Sequence, residues 1–260
     1  MSDISQETTQ RSTSNGEDAL DFAGLKILRR TTAQMISSID QTVAGQSRLD
    51  IAFCNANTLL RAVDNADYHQ TLDKMTLIND GIGADLAAKI LSGSSFPENL
   101  NGTDFVPALL THSSLNLSLF LLGAKPEIVS QAAAKFQERF PQHTVAGFRD
   151  GYFTDKDLPS VFRDIEDAQP DILLVAMGNP RQEFFIHSHR EHLKVPVTMG
   201  VGALFDFTAQ VVKRAPHWMR ATKTEWIYRL LQEPLRLAHR YTIGIGRFLW
   251  VVLRLRFQSK

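Results

Sequence analysis

Cysteine is almost absent from this chain, since Cys54 is the single cysteine among 260 residues. One thiol forms neither an internal disulfide nor a cysteine-rich metal cluster, and such sparing use indicates a reducing compartment. Long apolar runs are absent too, because no stretch reaches the roughly 18 uncharged apolar residues of a membrane-spanning helix. The first twenty residues are polar and contain no apolar signal core. We therefore expect a protein that is neither secreted nor integral to a membrane.

A net charge is also lacking, because 28 Lys and Arg residues balance 28 Asp and Glu residues. Hydrophobic residues make up 43% of the chain, which excludes disorder throughout and predicts a sizeable core. The balance conceals an asymmetry: residues 211 to 260 contain eleven basic residues and two acids, a net charge of about +9. The basic residues of this segment are Lys213, Arg214, Arg220, Lys223, Arg229, Arg236, Arg240, Arg247, Arg254, Arg256 and Lys260. Because tryptophans and aliphatic residues lie between them, we predict an anionic membrane surface as a partner and no nucleic acid.

Short apolar runs alternate with helical patterns along the rest of the chain. The runs are LKIL, DIAFC, MTLI, LSLFLL, HTVAGF, DILLVAM and VPVTMGV. This alternation predicts an α/β fold, a Rossmann-like and mostly parallel sheet flanked by helices. We place that domain at residues 23–208, after a disordered segment at residues 1–22 and before a basic amphipathic helical appendage at residues 209–260.

Ligands of open parallel sheets bind beyond the carboxyl ends of the strands, so the residues after each apolar run are candidates for a binding site. These residues are polar or glycine, and they include Asn55, Asp80, Gly81, Gly83, Gly178, Gln182, Gly200 and Gly202. Glycines let the backbone approach a ligand, and helix N-termini offer N–H groups to phosphate. This set suits a nucleotide.

Asp80 is open to two interpretations. A carboxylate at the end of an apolar strand could act as a general base towards a substrate hydroxyl. An Asp before a glycine is also a common turn or N-cap residue. The pairs Gly81/Gly83 and Gly200/Gly202 resemble a dinucleotide fingerprint, but each lacks the third glycine and is a weak signal.

Two other groups of reactive side chains are interpreted as structural. Asp155 and Asp157 form a D-x-D sequence directly before a helix, where capping is favoured over cation binding. His187, His189 and His192 fall on different sides of one predicted helix and lack metal-ligand spacing. We therefore predict no metal site and no cofactor.

Several motifs in the chain carry a resemblance to a known family. In order, they are NDGIGADLA, NLNGTDFVPALL, LFLLGAKPEIV, DGYF, LLVAMGNPRQEFFI, MGVGALFDF, RAPHWM and EWIYRLLQEPLRLAHRY. Over residues 24 to 250 the chain resembles the WecG/TagA/CpsF family of bacterial glycosyltransferases. The resemblance implies an inverting enzyme that moves a sugar from a UDP-sugar donor to a polyprenyl-diphosphate-linked acceptor. It also implies a peripheral location on the cytoplasmic face of the bacterial inner membrane, with an appendage that can pack beside a second subunit in a homo-oligomer.

The resemblance also implies roles for individual residues. Asp80 matches the family's catalytic base, and Arg229 and Arg236 match arginines of its C-terminal appendage. The predicted substrate-binding residues are Asn55, Gly81, Gly83, Asn101, Gly102, Gly178, Gln182, Gly200 and Gly202. We expect a single displacement in which Asp80 deprotonates the acceptor hydroxyl while the two arginines and the N–H groups near Gly81 stabilise the departing diphosphate.

Two departures from the family pattern concern the donor sugar. Members that transfer N-acetylmannosamine read T-L-N where this chain reads Phe53-Cys54-Asn55, and R-V-x-G where it reads NLNG from Asn99 to Gly102. The segment FPENLNGTDF is closer to the exopolysaccharide branch, which includes xanthan β-1,4-glucosyltransferases. We therefore predict UDP-glucose as the donor, with β-1,4 transfer of glucose in exopolysaccharide synthesis. The alternative is transfer of N-acetylmannosamine or its uronate, as in teichoic-acid or enterobacterial-antigen synthesis.

Two further classes fit part of the sequence. A nicotinamide-dependent oxidoreductase agrees with the α/β pattern but not with the broken glycine fingerprint. A non-catalytic membrane adaptor would use the basic segment as an anchor and would leave the polar strand ends without a role. We favour the transferase over both.

Overall fold

The computed structural model of the chain describes residues 18–211, Met219, Tyr228 and residues 243–258. Its strands are β1 (Ala19–Phe22), β2 (Leu25–Leu28), β3 (Leu49–Cys54), β4 (Thr76–Asn79), β5 (Ser118–Gly123), β6 (Thr144–Arg149), β7 (Ile172–Ala176) and β8 (Val197–Gly200). The described helices are α1 (Thr32–Ala44), α2 (Ala56–Asp64), α3 (Ala66–Asp73), α4 (Gly81–Ser92), α5 (Gly102–His112), α6 (Pro126–Arg139), α7 (Leu158–Ala168), α8 (Arg181–Ser188), α9 (Arg190–Leu193), α10 (Leu204–Thr208) and α11 (Ile243–Gln258). A 3-10 turn at Asp155–Asp157 precedes α7.

The strands form one eight-stranded sheet in the order β1-β2-β4-β3-β8-β7-β5-β6. Neighbouring strands are parallel except β1 and β2, which form an antiparallel hairpin. The central strand β7 is a continuous buried apolar run, as expected when helices cover both faces of a parallel sheet. The predicted Rossmann-like, mostly parallel α/β sheet is confirmed.

Side chains that alternate along each strand divide the core between two helical layers. In β7, Leu173 and Val175 belong to one apolar cluster, whereas Ile172 and Leu174 belong to the other. The first layer consists of α2, α3, α4, α7, α8, α9 and α11, and the second consists of α1, α5, α6 and α10. The chain therefore changes layer several times as it follows the sheet.

Polar caps and glycines set where several helices begin and end. Thr31 and Gln34 form a capping box at the start of α1. The side chain of Asn65 accepts a hydrogen bond from the Tyr68 N–H at the start of α3 (2.9 Å). Gly93 ends α4 at a φ of 81°, a conformation that favours glycine.

The structured part of the chain begins earlier than predicted. Strand β1 covers Ala19–Phe22, within the segment 1–22 that we assigned to disorder. Its alternating Leu20 and Phe22 side chains are buried, and the strand pairs with β2 across a turn at Ala23 and Gly24. The prediction was wrong for these residues because a four-residue strand next to a polar segment gives too short a pattern to recognise.

The C-terminal helix α11 packs on the first layer. Phe248 stacks on Phe22 of β1 with ring centroids 5.9 Å apart, and Val251 and Val252 are buried in the same apolar cluster. Part of the predicted appendage thus belongs to the core of the α/β domain. No helix among the described residues is long and apolar enough to cross a membrane.

Two basic residues of α11 are used inside the molecule. Arg247 makes a two-pronged contact with the carboxylate of Asp64, at 2.5 and 2.7 Å. Arg256 donates a hydrogen bond to the carbonyl oxygen of Leu91 at the end of α4 (2.9 Å). These arginines fix the helix against α2 and α4, so the positive charge of the C-terminal segment is not all directed to an external surface.

Candidate active site

The topology creates a crevice where the carboxyl ends of neighbouring strands lead into different layers. After β3 the chain enters α2 of the first layer, whereas after the adjacent β8 it enters α10 of the second layer. The same divergence occurs between β7, followed by α8, and β5, followed by α6. Such switch points are where ligands bind in open α/β sheets. We call this side of the sheet, with Asn55, Asp80, Gly178 and Gly202, the carboxyl edge.

Asn55 and Asp80 meet at the ends of β3 and β4. The Asn55 side-chain oxygen caps α2 by accepting from the N–H groups of Asn57 (3.0 Å) and Thr58 (3.1 Å). This fixes the amide so that its nitrogen donates to Oδ2 of Asp80 (3.2 Å). Asp80 stands at the N-cap position of α4 but makes no side-chain capping hydrogen bond. Asp80 therefore does not cap α4 through its side chain, which was one of its two interpretations, and its role as a general base stays a prediction.

The two glycines after Asp80 have local structural roles. Gly81 adopts a φ of 79°, and its N–H donates to the side-chain oxygen of Asn99 (2.7 Å). A Cβ on Gly83 would lie 2.7 Å from the Cβ of Ala56, so this glycine allows α2 and α4 to approach. The N–H of Gly81 already has an acceptor, which weakens the expectation that this helix start serves the diphosphate.

Asn101 and Gly102 lie at the start of α5, where the structure gives them structural contacts. The side-chain oxygen of Asn101 caps α5 by accepting from the Asp104 N–H (3.0 Å). A Cβ on Gly102 would lie 3.4 Å from the ring of Phe53, an ordinary van der Waals contact, so Gly102 lies next to this ring. Phe53 also packs at 6.1 Å from Phe105 within the second-layer core. The structure does not bring Asn101 into hydrogen-bonding contact with Asn55 or Asp80.

Gln182 joins the ends of β7 and β8. Its side chain is 1% exposed, and its carbonyl oxygen accepts from the N–H groups of Gly178 (3.1 Å) and Gly202 (3.0 Å). A Cβ on Gly200 would lie 2.7 Å from the Gln182 amide nitrogen, so Gly200 provides the space for this side chain. The structure thus brings together the predicted residues Gly178, Gln182, Gly200 and Gly202. Gln182 itself is buried, and its side chain links the loops after β7 and β8.

Gly178 and Gly202 border the crevice itself. Both have positive φ, 75° and 56°, and a Cβ on either would meet no atom within 4 Å. A backbone that is open on this side can be approached closely by a ligand. Their positions agree with the predicted substrate-binding role.

Sequence reasoning missed the buried acid next to Gln182. Glu183 is fully buried, and one carboxylate oxygen accepts from the amide nitrogens of Asn179 and Gln182, both at 2.7 Å. The other oxygen accepts from the Tyr68 hydroxyl (3.2 Å). Burial raises the pKa of Glu183 to about 7, against which these hydrogen bonds act. The sequence pattern that could have revealed its burial is the helical spacing, since Glu183 lies three residues before the buried Ile186, on the apolar face of α8.

Cys54 is fully buried in the apolar strand β3 and belongs to the core of the first layer. Burial, and then the negative charges of Glu183 and Asp80, raise the pKa of its thiol well above the usual range. A protonated buried thiol is a core residue rather than a nucleophile.

The D-x-D and histidine groups have structural contacts. Asp157 accepts from the N–H (2.9 Å) and hydroxyl (2.8 Å) of Thr154, which confirms the predicted capping role for this residue. His189 and His192 both pack against the ring of Phe162, at centroid distances of 5.2 and 5.1 Å. Within the described ranges no cluster of three or more His, Cys, Asp or Glu side chains is arranged to hold a metal ion.

The predicted phosphate partners Arg229 and Arg236 lie outside the described residues. Among the described residues, Lys125 and Arg181 are exposed basic residues that follow β5 and β7 at the second switch point. Arg181 donates to the carbonyl oxygen of Gly151 (3.1 Å), which holds it near the end of β6. Both residues stand in the strand-end stretches that the sequence marks as candidates, but the sequence alone assigned neither of them a role.

The fold and this crevice, with Asp80 beside the β3/β8 switch point, are those of a class of α/β proteins that bind ligands such as nucleotides at the carboxyl edge. The comparison with known families makes this specific. The model of the glycosyl transferase WecG/TagA/CpsF family matches residues 20–260, and the chain belongs to this family. It is a glycosyltransferase, as the sequence motifs predicted.

Two curated relatives share the same name, N-acetylglucosaminyldiphosphoundecaprenol N-acetyl-beta-D-mannosaminyltransferase. The protein of Bacillus subtilis (strain 168) is 34% identical over 188 residues, which is 72% of each chain. That of Bacillus spizizenii (strain ATCC 23059 / NRRL B-14472 / W23) is 31% identical over 222 residues, 84% of each chain. Both names describe transfer of N-acetylmannosamine, so they favour our alternative over glucose transfer, and they give no support to an exopolysaccharide product.

Proposed function

We propose that this chain transfers N-acetylmannosamine, or a closely related sugar, from a UDP donor to N-acetylglucosamine carried on a polyprenyl diphosphate. The names of the two Bacillus relatives support the sugar and the acceptor. The observation that carries the catalytic part of the proposal is the Asp80 carboxylate, which Asn55 holds at the carboxyl edge. Asp80 removes the proton of the acceptor hydroxyl as that oxygen attacks the anomeric carbon, and one displacement inverts the configuration.

The departing UDP requires positive charge or N–H donors. The N–H groups of Gly81, Gly178 and Gly202 already donate to side-chain oxygens of the protein. Cations are therefore the main partners in this proposal, and arginine suits phosphate because its planar fork donates two parallel hydrogen bonds. We retain Arg229 and Arg236 for this role and add Arg181 as a cation at the second switch point.

We also propose that α11 contacts the membrane that contains the lipid-linked acceptor. The face of α11 opposite its buried residues exposes Trp250 (60%), Leu253 (47%) and Phe257 (73%), which recur at helical spacing. Arg254 lies over the Trp250 ring at 5.7 Å, so a cation accompanies the apolar stripe. An apolar stripe with adjacent basic residues suits the boundary of an anionic bilayer and supports a peripheral location.

Glucose transfer is the second candidate because of the residues that replace the family's threonine and arginine. Phe53 is buried against Gly102 and Phe105, and the side chain of Asn99 is used to cap α4. Neither supplies the hydroxyl or the guanidinium expected in a pocket for N-acetylmannosamine. Their absence is the reason to keep UDP-glucose as a second candidate donor.

The two donors are distinguished by direct assay. Purified full-length protein is incubated with a short-chain prenyl-diphosphate N-acetylglucosamine and, separately, with labelled UDP-N-acetylmannosamine, UDP-glucose and UDP-N-acetylglucosamine. We expect label in the lipid product from UDP-N-acetylmannosamine, and transfer about 10²- to 10⁴-fold slower with the Asp80→Asn variant. Transfer from UDP-glucose alone would replace the first candidate by the second, and transfer from none of the donors would contradict both.

A further inference from the structure

Only one orientation of the Gln182 carboxamide satisfies the hydrogen-bonding groups around it. Its oxygen faces two N–H donors, those of Gly178 and Gly202, and its nitrogen faces a carboxylate oxygen of Glu183 (2.7 Å). A rotated amide would set its NH2 group against two donors and its oxygen against a carboxylate. Each mismatch would leave buried groups unpaired, which is costly in a site this enclosed.

Glu183 is itself fixed from two sides. Asn179, in the loop after β7, donates to the same oxygen as Gln182, and Tyr68 of α3 donates to the other oxygen. Tyr68 and Glu183 are both fully buried, and the Tyr68 ring packs on Phe184 with centroids 5.6 Å apart. The carboxylate therefore cannot turn away from Gln182 without breaking its other hydrogen bonds.

We propose that Glu183 is a positioning residue that acts through Gln182: it sets the orientation of the Gln182 carboxamide, which then holds the Gly178 and Gly202 backbones at the spacing required by the donor. Gly178 follows β7 and Gly202 follows β8, and β8 is paired with β3, which ends beside Asn55. A change in the Gly178–Gly202 spacing would thus alter the crevice next to Asn55 and Asp80. The catalytic consequence rests on the proposed transferase function.

The test distinguishes two properties of the Glu183 carboxylate that could position Gln182: its ability to accept hydrogen bonds and its negative charge. In Glu183→Gln the new amide oxygen can still accept from Asn179 and Gln182, while its nitrogen can donate to the Tyr68 oxygen. Glu183→Leu fills a similar volume but accepts nothing. Tyr68→Phe is the matched control, because it removes the hydrogen bond to the other oxygen of Glu183, and a long one from Asn179 (3.4 Å), without touching the contact to Gln182. If Leu at position 183 prevents folding, Glu183→Met takes its place, since its thioether accepts only weakly and adapts to the available space.

Two measurements are made on each full-length variant. Amide hydrogen exchange at Gly178 and Gly202 reports their hydrogen bonds to the Gln182 side chain without any assumption about activity. We expect exchange at both glycines to rise about tenfold or more in Glu183→Leu, the size of effect expected from losing one buried hydrogen bond, and to stay within about threefold of the parent in Glu183→Gln and Tyr68→Phe. Steady-state transfer should show the same order, with the KM for the donor raised about tenfold in Glu183→Leu and kcat changed less.

The outcomes separate this inference from the proposed function. Unchanged exchange at both glycines in a folded Glu183→Leu or Glu183→Met variant would overturn the inference even if the parent transfers sugar. Equal losses in Glu183→Gln and Glu183→Leu would also overturn it, because the charge rather than the acceptor would then be the essential property. If the parent transfers no sugar, the proposed function fails, and the exchange data still decide whether Glu183 orients Gln182.

Discussion

Asp80 is the residue on which the proposed proton transfer depends. Asp80→Asn keeps the size of the side chain and sacrifices no capping hydrogen bond, so the fold should be retained. The amide is not a base and cannot take up the proton of the sugar hydroxyl that attacks the donor. We therefore expect turnover to fall by about 10²- to 10⁴-fold. Transfer assays and thermal unfolding measure the two effects separately. Asp73→Asn, which changes an exposed acid at the end of α3, is the control and should stay near the parent rate; an Asp80→Asn variant that does the same would remove Asp80 from the mechanism.

Glu183 makes stability depend on pH. Its pKa is raised from 4.5 to about 7 in the folded protein. Between these values the folded state binds more protons than the unfolded state, so the contribution of Glu183 to stability falls as pH rises through this window. Glu183→Gln should remove that decline. The difference between the thermal unfolding midpoints of the variant and the parent should therefore shift in favour of the variant as pH increases. Thermal unfolding at a series of pH values tests this, with the exposed Glu127→Gln as control; parallel curves for parent and Glu183→Gln would contradict it.

The sequence predicted some site residues because local patterns determine them. Asn55 and Asp80 each follow an apolar run, and consecutive parallel strands bring such ends together. Glu183 escaped prediction because its partner Tyr68 is 115 positions away, and only the fold brings the two together. Gln182 was predicted in the right place, but its orientation depends on two loops whose approach no local pattern reveals. Arg229 and Arg236 stay predictions.

The contact between α2 and α4 is set by one glycine. A Cβ on Gly83 would lie 2.7 Å from the Ala56 Cβ, so Gly83→Ala must push the two helices apart. We expect a loss of stability of about 1 to 3 kcal/mol, and a loss of activity because these helices begin beside Asn55 and Asp80. Gly246→Ala in α11 is the matched control, since a Cβ there meets no atom within 4 Å and should be neutral or slightly stabilising. Denaturant unfolding of both variants measures the difference, and equal stabilities would refute the packing role of Gly83.

Among the elements, apolar periodicity found the parallel strands because a buried strand is a continuous apolar run bounded by polar residues. It missed β1, whose pairing with β2 depends on a turn at Ala23 and Gly24. It also treated α11 as part of a separate basic appendage. The helix is amphipathic, but periodicity alone cannot say whether its apolar face meets a membrane or the core, and Phe248 meets Phe22.

For the molecule as a whole, we expect transfer to survive chelation of divalent cations. In the D-x-D sequence, Asp157 accepts hydrogen bonds from Thr154 and thereby caps the following helical turn. The proposed phosphate partners are basic side chains, which need no cation. Transfer is measured with and without EDTA, and thermal unfolding under the same conditions controls for damage to the fold. Activity that EDTA abolishes and Mg²⁺ or Mn²⁺ restores would return Asp155 and Asp157 to the candidate site and demote the arginines.

Membrane contact is best tested without removing the C-terminal segment, because the buried face of α11 belongs to the core. Replacing Trp250, Leu253 and Phe257 together by Gln alters only exposed side chains. Each is expected to contribute about 1 kcal/mol of burial at the bilayer boundary, so the triple variant should bind anionic vesicles about a hundredfold more weakly.

Stability and transfer to the short-chain soluble acceptor should be unchanged in this triple variant, because α11 is bonded to the C-terminal ends of α2 and α4, at Asp64 and Leu91, and not to their starts beside Asn55 and Asp80. Phe148→Gln on the edge strand β6 is the control and should bind vesicles like the parent, since this residue is 48% exposed but lies at the opposite end of the sheet from β1, on which α11 packs. Vesicle sedimentation at low and high salt separates the apolar contribution from the electrostatic one, which salt screens. If the triple variant binds as tightly as the parent, the surface of α11 is not the membrane contact. The basic residues between positions 211 and 242 would then be the remaining source of that binding.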